Sequence, residues 1–529
     1  MPAQTRQPTN RVGAAEDEHQ EYPTAKPHIL LRSTTAPSIF ADAVWGRVFN
    51  RRRDSSPSKD RSPAAVVNAS SIAHIREAVE LAKDWNCRVS VRSGGHSWAA
   101  WSVRRDAVLV DLKDLYRNDD GENEEGEGKG EGKEKDGRIV YDEDSGIVAC
   151  APAVTGEELN GFLEGYGRMF AGGHCPDVGL GGFLLQGGMG WNCKNWGWAC
   201  ESIVGVDVVT ADARELHCSA DENSDLFWAA RGAGPGFPAI VTRFHLSTRP
   251  LLNMYNSVYI YPRSMFRTVL QWVIDICPTA DPDTEVVCLA KHTADGNEIE
   301  IIAGFLSFKS CRKEAVKAMQ RVHDSRPAGA KIEVSCDPTD FACQYAGQRE
   351  EQPTGYRFCS DNGYIDNNVA DVPGVVEQTF TSLPTQKTFV LYFAMNPTSR
   401  RPLPDMAHSM HSDHYVSVYA IWDDAADDER CTGWVRDAVQ DMARHSVGSY
   451  MGDADFQQRT TRFWSKEHGE RLQNIRQKWD PDGRVCGYLD VGDRSGVQGL
   501  RNEFEWAEGA DGPWAALQCG LIIRQEGRL

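Results

Sequence analysis

The chain is 529 residues long, 41% apolar, and carries 76 acidic against 57 basic side chains, a formal net charge of −19. That length gives room for two or more domains with a sizeable core, and the charge repels phosphates and anionic headgroups, so neither nucleic acid nor a membrane is an expected partner. No apolar run is long enough to cross a bilayer, and the opening MPAQTRQPTN lacks the apolar core of a signal peptide, which reads as a soluble, cytoplasmic protein.

Residues 1–60 are rich in Pro, Ser and charge; only a docked segment around Ile39 to Val48 is expected to be ordered, and the triplet Arg51-Arg52-Arg53 reads as a solvated loop. From Ala64 the pattern predicts a short strand, a helix capped near Ser71 with Ile72, Ile75, Val79 and Ala82 on one face, and a strand at Arg88 to Val91. This β-α-β unit ends in a glycine turn. Residues 118–137, NDDGENEEGEGKGEGKEKDG, have no apolar side chain to offset their ordering entropy and predict a surface insertion between strands at Val108–Leu112 and Ile139–Tyr141. Thr155 and Glu158 then form a capping box at a helix start, IVGVDVVT alternates as a strand, and DLFWAARG is a short helix. Beyond Pro250 the texture changes. LLNMYNSVYIYP, EVVCLAKHT, EIEIIAGFLSFK, KTFVLYFAM and YVSVYAIW are strand-like runs separated by helices or loops, predicting a mainly antiparallel α+β domain over 251–443. Segment 444–495 holds a last helix stopped by Asp480-Pro481, and 496–529 is a tail.

Fifteen cysteines are too dilute for a disulfide scaffold, odd in number and nowhere arranged as CxxC. Structural zinc is therefore not expected, and at least one thiol is left for another use. His408, His411 and His414 have a spacing that suits neither face of a strand; they read as solvated loop residues, and no metal is expected.

Two glycine clusters carry the chemistry. Arg92-Ser93-Gly94-Gly95-His96-Ser97 follows a strand directly, and Gly172 to Gly190 contains eight glycines. Glycine lets a backbone turn at positive φ and come close to a bulky anion, and a pyrophosphate on backbone amides is the natural occupant. Neither GxxxxGK[ST] nor a GxGxxG closing a first β-α turn is present, so a dinucleotide site here has another design.

RSGGHS at 92–97, AGGHCPDVGLGGFLLQGGMG at 171–190 and DLFWAARGAGPGF at 225–237 stand in the order found in the vanillyl-alcohol-oxidase superfamily, and the chain resembles its berberine-bridge-enzyme-like branch over most of Ala64 to Pro250. KWDPDGRV, at the end of the last helix, is a weaker fourth match. The resemblance implies an α+β fold, with a two-part FAD-binding domain of the PCMH type from 61–250 and 444–495 and an antiparallel-sheet substrate domain from 251–443 with helices on one face. It implies FAD bonded to the His96 ring and the Cys175 sulfur, with Arg92, Ser93, Gly94, Gly95, Ser97, Val178, Gly179, Gly181, Gly182, Gly187, Gly188, Gly190 and Val206 around it. An imidazole and a thiol partly ionised near neutral pH suit addition to an electron-poor ring. A turn-capping histidine and a buried free thiol are the competing readings.

Departures from the family pattern fall at Phe183, where histidine is common, at Trp98, where tyrosine is usual, and at Pro238 in place of glycine. Val178 stands where a small gatekeeper controls oxygen access, and valine there favours an oxidase. Trp191, Trp196 and Trp198 are expected in the core or over the adenine or flavin. For the proton-accepting group, Tyr450 is the first candidate, against a core tyrosine with a satisfied hydroxyl; it needs nearby positive charge to bring its pKa down. Asp453, in place of the family's second tyrosine, and Tyr415 are the others. Tyr415 and Tyr419 alternate onto one face of their strand, and at least one is expected to meet helices behind the sheet. The implied activity is an FAD-dependent oxidase taking hydride from a C–H next to O or N of a small organic substrate, reoxidised by O2 to H2O2, in specialised metabolism. The alternatives are a dehydrogenase or oxidative cyclase with poor O2 reactivity, and a non-catalytic flavin-binding protein.

Overall fold

The computed structural model describes residues 28–53, 61–117, 137–455, 459 and 461–487; the Gly/Glu insertion at 118–136 and the tail from 496 lie outside the described residues. The first β-α-β unit forms as its pattern dictates. Strands Ala65–Asn68 and Val89–Arg92 flank helix Ile72–Asp84, whose start is capped by Ser71 and whose Ile75, Ala78, Val79 and Ala82 are buried. Strand Val108–Asp111 lies between the two strands and parallel to both, while His28–Leu31 pairs antiparallel along the Ala65–Asn68 edge. That outer strand falls in the segment expected to be irregular. Its four residues are too few to show a period, and it forms because an edge is there to pair with.

A second, five-stranded antiparallel sheet runs in the order Ile139–Asp142, Ile147–Cys150, Ala239–Ser247, Ile203–Thr210, Glu215–Cys218. The strands on either side of the insertion therefore belong to different sheets. Helix Gly156–Glu164 starts on the expected capping box: Glu158 N donates to Thr155 Oγ1 at 3.2 Å and Thr155 N donates to Glu158 Oε2 at 2.9 Å.

The third sheet has eight strands, in the order Ile332–Thr339, Asn253–Pro262, Ile299–Lys309, Thr284–His292, Phe389–Ala394, His414–Trp422, Arg357–Ile365, Ser446–Gly448. Helices Phe266–Ile276, Arg312–Ser325, Val372–Thr381 and Asp428–Ala443 cover one face. Alternation assigns the faces. On His414–Trp422, Val416, Val418, Ala420 and Trp422 enter the helix-side core, and Tyr415 and Tyr419 both point the other way. Neither tyrosine meets the helices, contrary to expectation.

Arg357–Ile365 is a strand that its sequence, RFCSDNGYI, conceals. All nine residues are buried, and distant groups answer the polar ones: Asn362 holds both the N–H and the C=O of Tyr450 at 2.7 Å, and Asp361 pairs with Arg459 at 3.1 Å. Helix Lys466–Trp479 then brings the chain back to the first sheet, where Val89 N donates to Arg484 O and Cys486 N donates to Val89 O, each at 2.8 Å. No helix among the described residues is long and apolar enough to cross a membrane.

The arginine triplet is not a solvated loop. Arg53 is buried, and Arg52 and Arg53 both pair with the fully buried Asp455, tying the N-terminal segment to the returning one. Asp455→Ala would strand a buried guanidinium, and equilibrium denaturant unfolding is expected to show a loss of about 3–5 kcal/mol.

Candidate active site

A cleft of about 1200 Å³ lies between the glycine turns and the face of the eight-stranded sheet turned away from its four covering helices. It exceeds the roughly 300–1,000 Å³ of ordinary ligand pockets, which leaves room for a dinucleotide with a substrate beside it. Its inner wall is set by one close approach. A Cβ on Gly94 would sit 2.6 Å from Gly179 N, and one on Gly179 would sit 2.7 Å from Gly94 N, so the two turns meet backbone to backbone. Gly95 has φ +85, and a Cβ there would run into Arg47 O at 2.0 Å. This contact brings the His96 and Cys175 loops onto one wall.

His96 stacks on Phe49 with ring centroids 4.1 Å apart, and its Nε2 lies 3.0 Å from Asp177 Oδ2. Burial works against ionisation of Asp177, yet the hydrogen bond from His96 holds its carboxyl below the ordinary value. The Cys175 thiol donates to Gln352 Oε1 at 3.6 Å. Burial, and then Asp177 and Asp453, push this thiol up to about 12. The expected partial ionisation near neutral pH is therefore corrected: two carboxylates and a low-dielectric wall both oppose a thiolate.

Ser93, Gly94, Gly95, Ser97, Val178, Gly179, Gly181 and Gly182 line the cleft with His96 and Cys175. Arg92 also borders it, but its guanidinium is spent on Asp111 and on the carbonyls of Ala43 and Val44. Gly187, Gly188, Gly190 and Val206 are absent from the lining: the first three pack against His408, Ala199 and the Ala171 carbonyl, and Val206 is core of the five-stranded sheet. Phe183 lies over Gly173 and Gly188 in the wall.

These motifs have close counterparts elsewhere. Residues 63–126 and 134–219 match the FAD binding domain family. The FAD-linked oxidoreductase janO of Penicillium janthinellum is 38% identical over 465 residues, which is 87% of this chain and 97% of janO. The chain belongs to the family of FAD-linked oxidoreductases that includes janO. Among solved structures, the BBE-like 1 protein of Physcomitrella patens superposes with a TM-score of 0.71 at 15% identity, covering 90% of this chain and 98% of that one. A glucooligosaccharide oxidase from Acremonium strictum, described with a 6-S-cysteinyl, 8α-N1-histidyl FAD, superposes with a TM-score of 0.68 at 20% identity, covering 84% and 94%. The fold is thus the α+β fold of PCMH-type FAD proteins, and the protein is an FAD-linked oxidoreductase. The cleft fits that cofactor: the glycine turns present bare backbone to it, and a Cβ at Gly182 would meet nothing within 4 Å.

A second cluster, close enough to Cys175 for its charge to act on that thiol, centres on Asp453. Asp453 is held from three directions: Tyr415 Oη donates to its Oδ2 at 2.5 Å, Tyr419 donates to the same carboxylate, and Ser360 Oγ donates to its carbonyl at 2.8 Å. Burial raises the Asp453 carboxyl above its ordinary value, although the two hydroxyls pull the other way. Tyr450 fails the condition set for it. Burial and then Asp453 drive its hydroxyl up, and that oxygen accepts from Met189 N at 3.1 Å. It is a clamp between segments.

One pair escaped the sequence reading. His174 Nε2 lies 3.0 and 3.1 Å from the two oxygens of the buried Glu285, whose Oε2 also accepts from Asn192 N at 2.6 Å. The signal was there in part, since His174 directly precedes Cys175, but its partner lies 111 residues on. Trp191 packs on His174, while Trp196 and Trp198 pack on Phe308 and His408. The 408–414 histidines are not solvated: His408 is buried and driven down to about 3 by desolvation, and His414 opens a strand with Nδ1 2.8 Å from Tyr392 Oη. A different trio, Asp207, His217 and His245, converges on the five-stranded sheet, with each imidazole bonded to the Asp207 carboxylate.

A carboxyl whose folded pKa is raised favours folding while protonated, and that contribution is lost as pH rises through the folded value. Asp453→Asn is therefore expected to melt above the parent at neutral pH, with the gap closing as pH falls toward about 4. A thermal-melt series across pH reads this directly, and a gap independent of pH would contradict it.

Proposed function

We propose that this enzyme is an oxidase that removes a hydride from a carbon next to oxygen or nitrogen, with Asp453 taking the proton from that heteroatom. The observation that carries the proposal is a buried carboxylate with a raised pKa, gripped by two tyrosine hydroxyls, in the same cleft as His96 and Cys175. Bound there, FAD supplies a two-electron acceptor that returns to its oxidised state by passing the electrons to dioxygen, with release of hydrogen peroxide.

The side chains divide the remaining work. Asp453 holds its proton more tightly than a surface aspartate, which brings its basicity nearer to working pH. Tyr415 and Tyr419 fix the carboxylate, and Arg52 and Arg53 on Asp455 keep its loop against the sheet. His96 and Cys175 are the covalent anchors in this reading. Asp177 beside His96 Nε2 supports the tautomer with its proton on that nitrogen, leaving Nδ1 as the nucleophile. The N1-histidyl link described for the Acremonium strictum enzyme is of the same kind. Val178, in the cleft wall next to Gly179, is the residue that sets dioxygen access. The aliphatic sheet face opposite supports a role in specialised metabolism over sugar oxidation.

Under anaerobic mixing with a panel of alcohols and amines, one substrate is expected to bleach the flavin, and admitting air should restore the colour with release of peroxide. Asp453→Asn should keep its flavin and slow the bleaching by roughly 10²-fold or more. Bleaching at the parent rate would remove Asp453 from the mechanism, and reduction without peroxide would favour the dehydrogenase or cyclase reading.

A further inference from the structure

The cleft face of the eight-stranded sheet carries an aliphatic platform that leads to Asp453. The strand registers align it in two rows. Val258, Gly304, Val287 and Phe393 are successive cross-strand partners, as are Ile260, Ile302, Leu289 and Leu391 in the next row. All of them line the cleft. Four strands at the usual spacing make the band about 14 Å across, with rows about 7 Å apart. The registers continue beyond it: Phe393 pairs with Tyr415 and Phe389 with Tyr419, the two tyrosines that hold Asp453.

Charge is confined to the ends. On strand Thr284–His292 the inward residues run Glu285, Val287, Leu289, Lys291, so about 20 Å separates the acid from the base, with only aliphatic side chains between. Both ends are already engaged, Glu285 by His174 and Asn192 and Lys291 by Glu351. Helix Phe341–Glu351, packed on the same face at Leu306 and Phe308, offers Gln344 and Gln348 to the cleft. A sugar would bring a hydroxyl on nearly every carbon against a platform with no side-chain donor or acceptor, and each unmatched hydroxyl would cost free energy.

We infer that the substrate is a bulky, largely apolar fused-ring molecule carrying a single hydroxyl or amine at its reacting end, and not a carbohydrate. The ring body lies across the platform, its free energy coming from apolar area removed from water, and its heteroatom reaches Asp453 at the fifth strand. This rests on the oxidase reading only for which end reacts.

The test is a titration of the purified holoenzyme with androsterone, a fused-ring alcohol without visible absorbance, and separately with cellobiose. Flavin absorbance and tryptophan fluorescence, to which Trp98, Trp101 and Trp191 in the cleft wall contribute, are followed together. Androsterone is expected to give saturable changes and cellobiose none. Leu289→Asn should weaken androsterone by about tenfold or more with flavin content unchanged, and Ile260→Asn on another strand should do the same, so misfolding of one variant leaves the other decisive. Saturable binding or oxidation of cellobiose, equal androsterone affinity in both variants, or no response to either compound would overturn the inference. A protein that binds androsterone by fluorescence but holds no flavin would sink the oxidase reading and leave the substrate class standing.

Discussion

The active site depends on the contact between Gly94 and Gly179. Two turns from separate parts of the chain touch through their backbones at a distance no side chain would permit. Everything the cofactor needs follows from it: His96 lies two residues beyond one glycine, and Cys175 four residues before the other. The N-terminal segment reinforces this from beneath, with Arg47 packed under Gly95 and Phe49 stacked on the His96 ring. The absence of a side chain at two positions becomes a long-range constraint on where His96 and Cys175 stand.

Around segment 453–455 the governing cost is charge burial. Asp453 and Asp455 point in different directions from one short segment and are treated differently. Asp455 is neutralised by two arginines and serves to anchor the chain. Asp453 receives hydroxyls in place of cations, which satisfies its oxygens without stabilising its charge as an arginine would. The outcome is a fixed anchor beside a carboxylate that can take up a proton.

Much of this was legible in the sequence, because glycine turns, capping boxes and alternating strands are local. RSGGHS and GGHCPDVGLGG came together along one cleft, Thr155 and Glu158 announced a helix start, and each strand-like run after Pro250 became a strand. What stayed hidden was settled by distant partners. Arg357–Ile365 is not among the runs that read as strands, and its polar Asn362 and Asp361 are answered by Tyr450 and Arg459. Arg52 and Arg53 looked solvated because Asp455 lies some 400 residues away. Tyr450 ranks ahead of Asp453 by its place in the motif, whereas burial and charge raise both groups and only their hydrogen bonds separate them. Tyr415 and Tyr419 were correctly placed together on one face, and the face itself depended on where the helices packed.

The central claim is that the paired glycine turns present His96 and Cys175 to one flavin, and intact-mass measurement of the denatured, acid-washed protein tests it most directly. The account predicts the mass of the chain plus one FAD, retained in His96→Ala and in Cys175→Ala and lost only when both are changed. The bare chain mass in the parent protein would contradict it.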